Sequence, residues 1–257
     1  MRVYSRPFNN IIFARQLSNY IFERKTTMKK SNKKTAQFIL CLSVIFVSSF
    51  FLFYPKSSAD AVQNMNIEIC DIASSDAFDE IVSLARHGII PLFEASDGNV
   101  YFYPENAVTR ELLATSLVKI TNENVKKYSG YDLEIIDVED IEKSNLNYIK
   151  TAAYTGIIPV YSEKLGERDI LSFCPKKEIS RGDAALIFAK LIDGAASSTD
   201  FGKLTDLDGT PDETKKAIEK VIGFNVMSSS DDLFRPNEPI TREELARALC
   251  ALLEHIN

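Results

Sequence analysis

The sequence predicts an all-α fold in which three helix-loop-helix repeats pack as a pseudo-threefold bundle. The first observation is a Phe-x-Pro string whose proline precedes an arginine by six residues. It occurs three times, at Phe102-Tyr103-Pro104, Phe173-Cys174-Pro175 and Phe234-Arg235-Pro236. The second is an apolar pattern at the third, fourth, seventh and tenth positions after the arginines Arg110, Arg181 and Arg242. Because such offsets share one helix face, each arginine begins an amphipathic helix.

A second, shorter helix is expected before each Phe-x-Pro string. An Asp followed by an apolar residue opens each segment, at Asp71, Asp137 and Asp206. A Gly or Asn ends the helix, at Gly88, Gly156 and Asn225. These residue types favour the left-handed conformation that ends many helices. The shared order of elements predicts one structural unit present three times.

The residue before each arginine is a predicted helix N-cap. These caps are Thr109, Ser180 and Thr241, and an acid three residues later completes a capping box with Asp183 and Glu244, whereas the first unit has Leu112. Capping does not explain the arginine, because a cation in the first turn is slightly disfavoured by the helix dipole. We therefore expect the arginines to contact a ligand, with a structural pairing to a nearby acid as the alternative.

The charge distribution excludes several classes of function. Residues 1–61 carry ten Lys or Arg against two acids, so the other residues hold 20 bases and 34 acids. A body this acidic is a poor nucleic-acid binder, because phosphate contacts need an excess of cations. Two His and four Cys leave little material for a zinc site or a His-based triad. We predict no catalytic residue, no metal site and no cofactor.

The amino-terminal region has the order of a secretory signal. An uncharged segment, 38–53, follows four lysines and precedes Ala59-Asp60-Ala61, the predicted cleavage site. We expect an upstream extension at 1–27, a signal peptide at 28–61 and a short linker at 62–69. An uncleaved membrane anchor is the alternative, although sixteen residues span about 24 Å of helix against about 30 Å of hydrocarbon. We predict that the protein is secreted and located at the cell wall or cell surface. It would contact the membrane only if the signal peptide is not cleaved.

The repeated motifs resemble the S-layer homology domain. The resemblance rests on the Phe-x-Pro turns, the Gly-Ile-Ile stops and three strings, V-T-R-E-L, I-S-R-G-D and I-T-R-E-E, which begin at Val108, Ile179 and Ile240. It places the repeats at 70–123, 133–193 and 204–257. In this family three repeats form one non-catalytic module that holds exported bacterial proteins on the cell wall.

The resemblance also implies a ligand and its site. Grooves between repeats bind a secondary cell-wall polysaccharide that often carries a pyruvyl ketal, and an arginine fork suits a carboxylate. The candidate ligand-binding residues are Arg110, Arg181, Arg242, Thr109, Ser180, Thr241, Asp183 and Glu244. The family commonly carries a Trp at the start of the first helix, whereas this chain has none. Phe78 or Tyr148 could replace that aromatic wall. Where an acid completes the capping box, we expect the groove to bind its ligand more tightly. The affinity of the grooves that contain Arg181 and Arg242 should therefore exceed that of the groove that contains Arg110.

Two other functions remain open on the sequence. A degenerate repeat protein could serve protein contacts or surface assembly without binding glycan. A glycosidase could use paired carboxylates, but the repeats occupy nearly all residues after the signal and leave no room for a catalytic domain. The oligomeric state is left open.

Overall fold

The computed structural model describes residues 2–4, 68–165, 167–194 and 204–256. The chain divides into two units, one formed by residues 1–11 with 69–257 and the other by 12–68, and nearly all described residues belong to the first. The predicted signal peptide, most of the linker and most of the upstream extension lie outside the described residues. In the described part, no helix has both the length and the apolar character needed to cross a membrane.

Seven α-helices are found in the described residues. They are α1 (Phe78–Arg86), α2 (Arg110–Ile120), α3 (Val125–Tyr128), α4 (Leu146–Thr155), α5 (Arg181–Leu191), α6 (Asp212–Gly223) and α7 (Arg242–Leu252), with a 3-10 turn at Val138–Asp140. The helices predicted after each arginine therefore begin at the expected residues. The left-handed stops predicted at Gly88, Gly156 and Asn225 are also confirmed, with φ values of 64°, 74° and 56°.

The described residues also form two small antiparallel sheets. The first has the order β1 (Arg2–Tyr4), β2 (Leu92–Glu94), β3 (Val100–Tyr101), and the second pairs β4 (Tyr161–Leu165) with β5 (Arg168–Ser172). The predicted all-α, pseudo-threefold bundle is therefore wrong, and the chain has mixed helix and strand content. The strands β2 to β5 form in the connections that follow α1 and α4. Backbone N–H and C=O groups there have no helical partner, so they pair with each other.

The start of each long helix is joined to the other two by backbone hydrogen bonds. Val108 donates to the carbonyl of Ile240 (3.0 Å), Ile240 to Ile179 (3.0 Å) and Ile179 back to Val108 (2.9 Å). The residues seven positions after the arginines, Leu117, Phe188 and Leu249, are fully buried. The residues that precede α2, α5 and α7 are thus joined in a closed ring of hydrogen bonds, and the third segment contacts the first.

Each Phe-x-Pro turn is held by the aspartate that opens its own segment. The two carboxylate oxygens accept two successive backbone N–H groups of the turn, from Phe102 and Tyr103 to Asp71, from Phe173 and Cys174 to Asp137, and from Phe234 and Arg235 to Asp206. The middle residue of each turn is left-handed, with φ of 57° at Tyr103, 54° at Cys174 and 58° at Arg235. A carboxylate accepts such bonds strongly, so it stabilises a conformation that non-glycine residues seldom adopt.

Candidate functional site

The three candidate arginines lie inside the protein, where each joins its own helix to the following unit. Their exposed fractions are 3%, 6% and 3% for Arg110, Arg181 and Arg242. Each Nε donates at 2.7 Å to the phenylalanine carbonyl of a neighbouring Phe-x-Pro turn, from Arg110 to Phe173, Arg181 to Phe234 and Arg242 to Phe102. Each guanidinium also lies over that ring, at 5.0, 4.7 and 4.5 Å from its centroid.

A second bond from each arginine follows an equally regular rule. The Nη2 atom donates to the carbonyl found three residues after the left-handed stop of a shorter helix, at Pro159 for Arg110 (2.6 Å), Ser228 for Arg181 (2.7 Å) and Pro91 for Arg242 (2.8 Å). Each guanidinium therefore joins a Phe-x-Pro turn to the end of a shorter helix. Two of the five N–H donors of each guanidinium are thus bonded to protein carbonyls.

The remaining nitrogen differs among the three arginines. Nη1 of Arg110 donates to the hydroxyl of Tyr161 (3.2 Å), and Nη1 of Arg181 forms an ion pair with Glu244. Desolvation by burial lowers the pKa of all three, that of Arg242 to about 10, because the charged form loses contact with water. Arg181 therefore has an acidic partner, as the alternative reading of the sequence expected, whereas the bonds described for Arg110 and Arg242 go to carbonyls and a hydroxyl. A direct ligand contact by these arginines stays a prediction.

The predicted N-caps form in all three units, but the capping boxes differ. Thr109 accepts from the N–H of Leu112 (3.3 Å) and Ser180 from that of Asp183 (3.1 Å). Thr241 accepts from Glu244 (3.2 Å), and the Glu244 carboxylate accepts from the N–H of Thr241 (3.0 Å), so this box is complete. These cap oxygens are thus engaged with their own helices, whereas the carboxylate of Asp183 lies at the surface.

The residue after each arginine decides whether the space beside its helix is filled, a feature that the sequence reasoning missed. In the first unit this residue is Glu111, which is 4% exposed. Its Oε1 accepts from the N–H of Glu142 (3.0 Å) and from Nδ2 of Asn145 (2.9 Å), and its Oε2 pairs with Lys176 (2.8 Å). The glutamate side chain therefore spans from α2 to the loop before α4.

Glu243 occupies the same position in the third unit. Its Oε2 accepts from the hydroxyl of Ser75 (2.8 Å) in the loop before α1, and its Oε1 pairs with Arg247. Glu111 and Glu243 thus fill equivalent spaces, each between a long helix and the loop that precedes a shorter one.

Gly182 takes this position in the second unit and leaves a groove of about 280 Å³. The groove lies between the start of α5 and the loop that leads into α6, and its lining includes Ser180, Asp183, Asp208, Thr214 and Asn237. A Cβ at Gly182 would lie 3.0 Å from the carbonyl oxygen of Pro236 and 3.3 Å from Cγ2 of Thr214. The groove, called the Gly182 groove below, therefore lies beside a position where neighbouring atoms approach the backbone closely.

The Gly182 groove is polar and negative. Asp183 and Asp208 contribute carboxylates, and none of the described residues that line it is a lysine, arginine or histidine. Thr210, Thr214, Ser180 and Asn237 add hydroxyl and amide groups. Such a lining accepts and donates hydrogen bonds but offers no cation to an acid.

The residues expected to replace the family tryptophan lie outside the lining of this groove. Phe78 is the first residue of α1 and is 46% exposed, and the ring of Tyr148 lies 5.4 Å from the ammonium of Lys119. In the described parts of the chain, no group of three or more His, Cys, Asp or Glu residues is placed to hold a metal ion.

Comparison with known proteins gives one family. Residues 203–246 match the model of the S-layer homology domain, and no curated protein matches the chain. The matched segment contains Asp206, α6, the Phe-x-Pro turn at Phe234 and the start of α7. The match includes one of the three similar segments, so it does not itself establish three tandem family repeats. S-layer homology domains are non-catalytic modules that associate proteins with the cell surface. Residues 203–246 of this chain therefore match the S-layer homology domain.

Proposed function

We propose that this protein attaches to the cell wall by binding a wall polysaccharide in the Gly182 groove. The observation that supports this proposal most directly is the contrast among three equivalent positions. Glu111 and Glu243 fill the spaces beside α2 and α7, whereas Gly182 leaves the space beside α5 open. The proposed site lies largely within the segment that matches the family, residues 203–246.

The proposal assigns the arginines a positioning role. Arg181 bonds to the carbonyls of Phe234 and Ser228, and both of these segments belong to the third unit. By holding that unit against α5, Arg181 would fix the width of the groove. The Gly182 groove beside Arg181 should bind the polysaccharide most strongly. The equivalent spaces beside Arg110 and Arg242 should bind it more weakly, because the side chains of Glu111 and Glu243 occupy them.

Export is a separate part of the proposal. We propose that residues 28–61 are a signal peptide that is cleaved after Ala61, and that the units 70–123, 133–193 and 204–257 act together at the wall. Mass spectrometry of the cell-associated protein would identify its amino terminus. Peptides from 38–53 in that protein would instead indicate a membrane anchor.

Sedimentation with purified wall sacculi tests the binding site. Gly182→Glu introduces the side chain that is present at the other two positions. Its Cβ would lie 3.0 Å from the carbonyl oxygen of Pro236, so the lining must shift by a few tenths of an ångström. The variant should therefore remain in the supernatant. Gly130→Glu is the matched control, because a side chain at Gly130 meets nothing within 4 Å. Circular dichroism must show that both variants are folded. Equal sedimentation of Gly182→Glu and the unsubstituted protein would contradict the proposal.

A second variant guards against a folding defect in Gly182→Glu. Asp208 is exposed and lies in the loop before α6, so Asp208→Tyr narrows the groove without entering a helix. It should also reduce sedimentation.

The burial of all three arginines favours a second candidate function, a degenerate repeat module that makes protein contacts. This candidate predicts that the unsubstituted protein does not sediment with sacculi.

A further inference from the structure

Three tyrosines form an exposed cluster where α3 packs against α4, called the tyrosine platform below. Tyr128 ends α3, Tyr131 lies in the loop that follows, and Tyr154 is near the end of α4. The rings of Tyr128 and Tyr154 are almost parallel, with centroids 5.7 Å apart, and the ring of Tyr131 is tilted against both, at 5.8 and 5.0 Å. Tyr131 is 50% exposed and Tyr154 is 43% exposed. The lining of the Gly182 groove includes none of the three.

The repeated architecture does not require an aromatic side chain in this place. Tyr154 lies two residues before the left-handed stop Gly156, and the first and third units have Arg86 and Gly223 at the corresponding position. A ring that is about half exposed also contributes less to folding than a buried one, because water still contacts much of its apolar surface. The repeat therefore gives no reason for the cluster, whereas binding to a ligand does.

Hydrogen bonds hold the platform in one arrangement. The hydroxyl of Tyr154 donates to the carbonyl of Asp132 (2.6 Å), and Nζ of Lys150 donates to the carbonyl of Ser129 (3.3 Å). Both bonds fasten the loop that carries Tyr131 to α4. The rings are thus positioned before a ligand arrives, which reduces the ordering cost of binding.

The size of the exposed surface selects a small occupant. An aromatic side chain offers roughly 150–250 Å², so the exposed parts of Tyr131 and Tyr154 together present on the order of 200 Å². A stable protein interface takes about 800 Å² from each partner. Because the ring centroids are close enough for the rings to contact each other, a guest would lie on their outer faces and not between them.

We propose that the tyrosine platform binds the C–H face of a neutral pyranose ring in a glycan chain. In a pyranose whose ring substituents are all equatorial, axial C–H bonds make both faces apolar and the hydroxyls surround the edge. Such a face fits an aromatic ring, and removal of both apolar surfaces from water drives the contact. The phenol hydroxyl of Tyr131 can both donate to and accept from hydroxyls at the sugar edge. This site goes beyond the proposed function, because it does not use the Gly182 groove.

A spectroscopic titration of the full chain detects this contact directly. The chain contains no tryptophan, so tyrosine is its main near-ultraviolet chromophore, and a sugar that covers Tyr131 should change the tyrosine difference spectrum. The probes are cellohexaose and the β-1,4-linked N-acetylglucosamine hexamer. Both should give a saturable change, with affinities that agree within about twofold at low and high salt, because neither probe is charged.

Variants at Tyr131 test the ring itself. Tyr131→Ala removes the most exposed ring of the platform and should weaken both probes by at least about tenfold. Tyr131→Phe keeps the ring and should bind within about threefold of the natural chain. Phe78→Ala is the matched control, because Phe78 is 46% exposed at the start of α1 and lies outside the platform. It should change the affinity by less than about twofold.

Circular dichroism and urea midpoints establish that each variant is folded. If Tyr131→Ala does not fold, Tyr131→Leu provides the same test, because it keeps an apolar contact with Tyr154 but has no ring face. Binding that survives the loss of the Tyr131 ring, or that Phe78→Ala weakens equally, would overturn the proposal.

Two other outcomes would also overturn it. One is the lack of any saturable change with either probe. The other is a dimer in analytical ultracentrifugation that Tyr131→Ala converts to a monomer, which would assign the platform to a second copy of the chain. Sedimentation with sacculi that Gly182→Glu abolishes would stand in either case, so this proposal and the proposed function fail separately.

Discussion

Replacing Arg242 with methionine should remove the contact that closes the ring between the third and first units. Methionine keeps an unbranched apolar side chain but loses two bonds to buried carbonyls, Nε to Phe102 (2.7 Å) and Nη2 to Pro91 (2.8 Å). A hydrogen bond from a charged donor contributes roughly 1.5–3 kcal/mol net, so Arg242→Met should lower the free energy of unfolding by about 3–5 kcal/mol. That is a large part of the 5–15 kcal/mol typical of a domain.

Urea unfolding followed by circular dichroism measures this loss as a shift in midpoint at an unchanged slope. Arg247→Met is the matched control on the same helix, because Arg247 is 42% exposed and pairs with Glu243 at the surface. It should cost less than about 1 kcal/mol. A loss below about 1 kcal/mol for Arg242→Met would refute the role of Arg242 in joining the units. Reduced binding to sacculi at full stability would instead support a direct ligand contact.

Three further predictions concern other parts of the fold. Desolvation lowers the pKa of Lys119 to about 8 in the folded chain, from 10.5. Between about pH 8 and pH 10.5 the Lys119 amine is therefore neutral in the folded chain and still protonated in the unfolded chain. The free energy of unfolding should therefore rise across that window relative to Lys119→Met, by on the order of 2 kcal/mol in pH-resolved urea titrations; parallel curves would contradict this. Cys174 has φ of 54°, so in thermal unfolding Cys174→Gly should be at least as stable as the natural chain, and Cys174→Val less stable by about 1–2 kcal/mol; the reverse order would argue against strain in the turn. Asp137→Asn replaces one of two acceptor oxygens with a donor that faces a backbone N–H, and it should cost about 1.5–3 kcal/mol in urea unfolding; an unchanged midpoint would show that the turn does not need the charge.

Local sequence signals predicted the local structure well. The helix starts at Arg110, Arg181 and Arg242 follow from an adjacent cap residue and an apolar pattern, both of which act within one or two turns. The left-handed stop at Gly156 likewise depends on the conformational freedom of one residue. The sequence predicts these helix starts and stops because the interactions that stabilise them are between residues close together in the chain.

Features that depend on distant neighbours were not predicted. The strands β4 and β5 carry no strong apolar alternation and form because their backbone groups pair across a connection. The difference between Glu111 and Gly182 is visible in the motifs, but its meaning depends on the loops before α4 and α6, which the sequence alone does not place opposite these residues. The sequence showed that an aspartate opens each segment. It did not predict that this aspartate accepts hydrogen bonds from the backbone N–H groups of the Phe-x-Pro turn.

The ring of hydrogen bonds among Val108, Ile179 and Ile240 has a consequence for folding cooperativity. Linear repeat arrays fold from any point and lengthen by adding copies, because each copy touches only its neighbours. Here the last segment contacts the first, and Arg242 and Phe102 meet across 140 residues of chain. Contacts between residues so far apart in sequence slow the folding reaction, because a long loop must close before they form. The segments from Asp71 to α7 should therefore fold and unfold as one unit, so a chain truncated before α7 would not retain two stable segments.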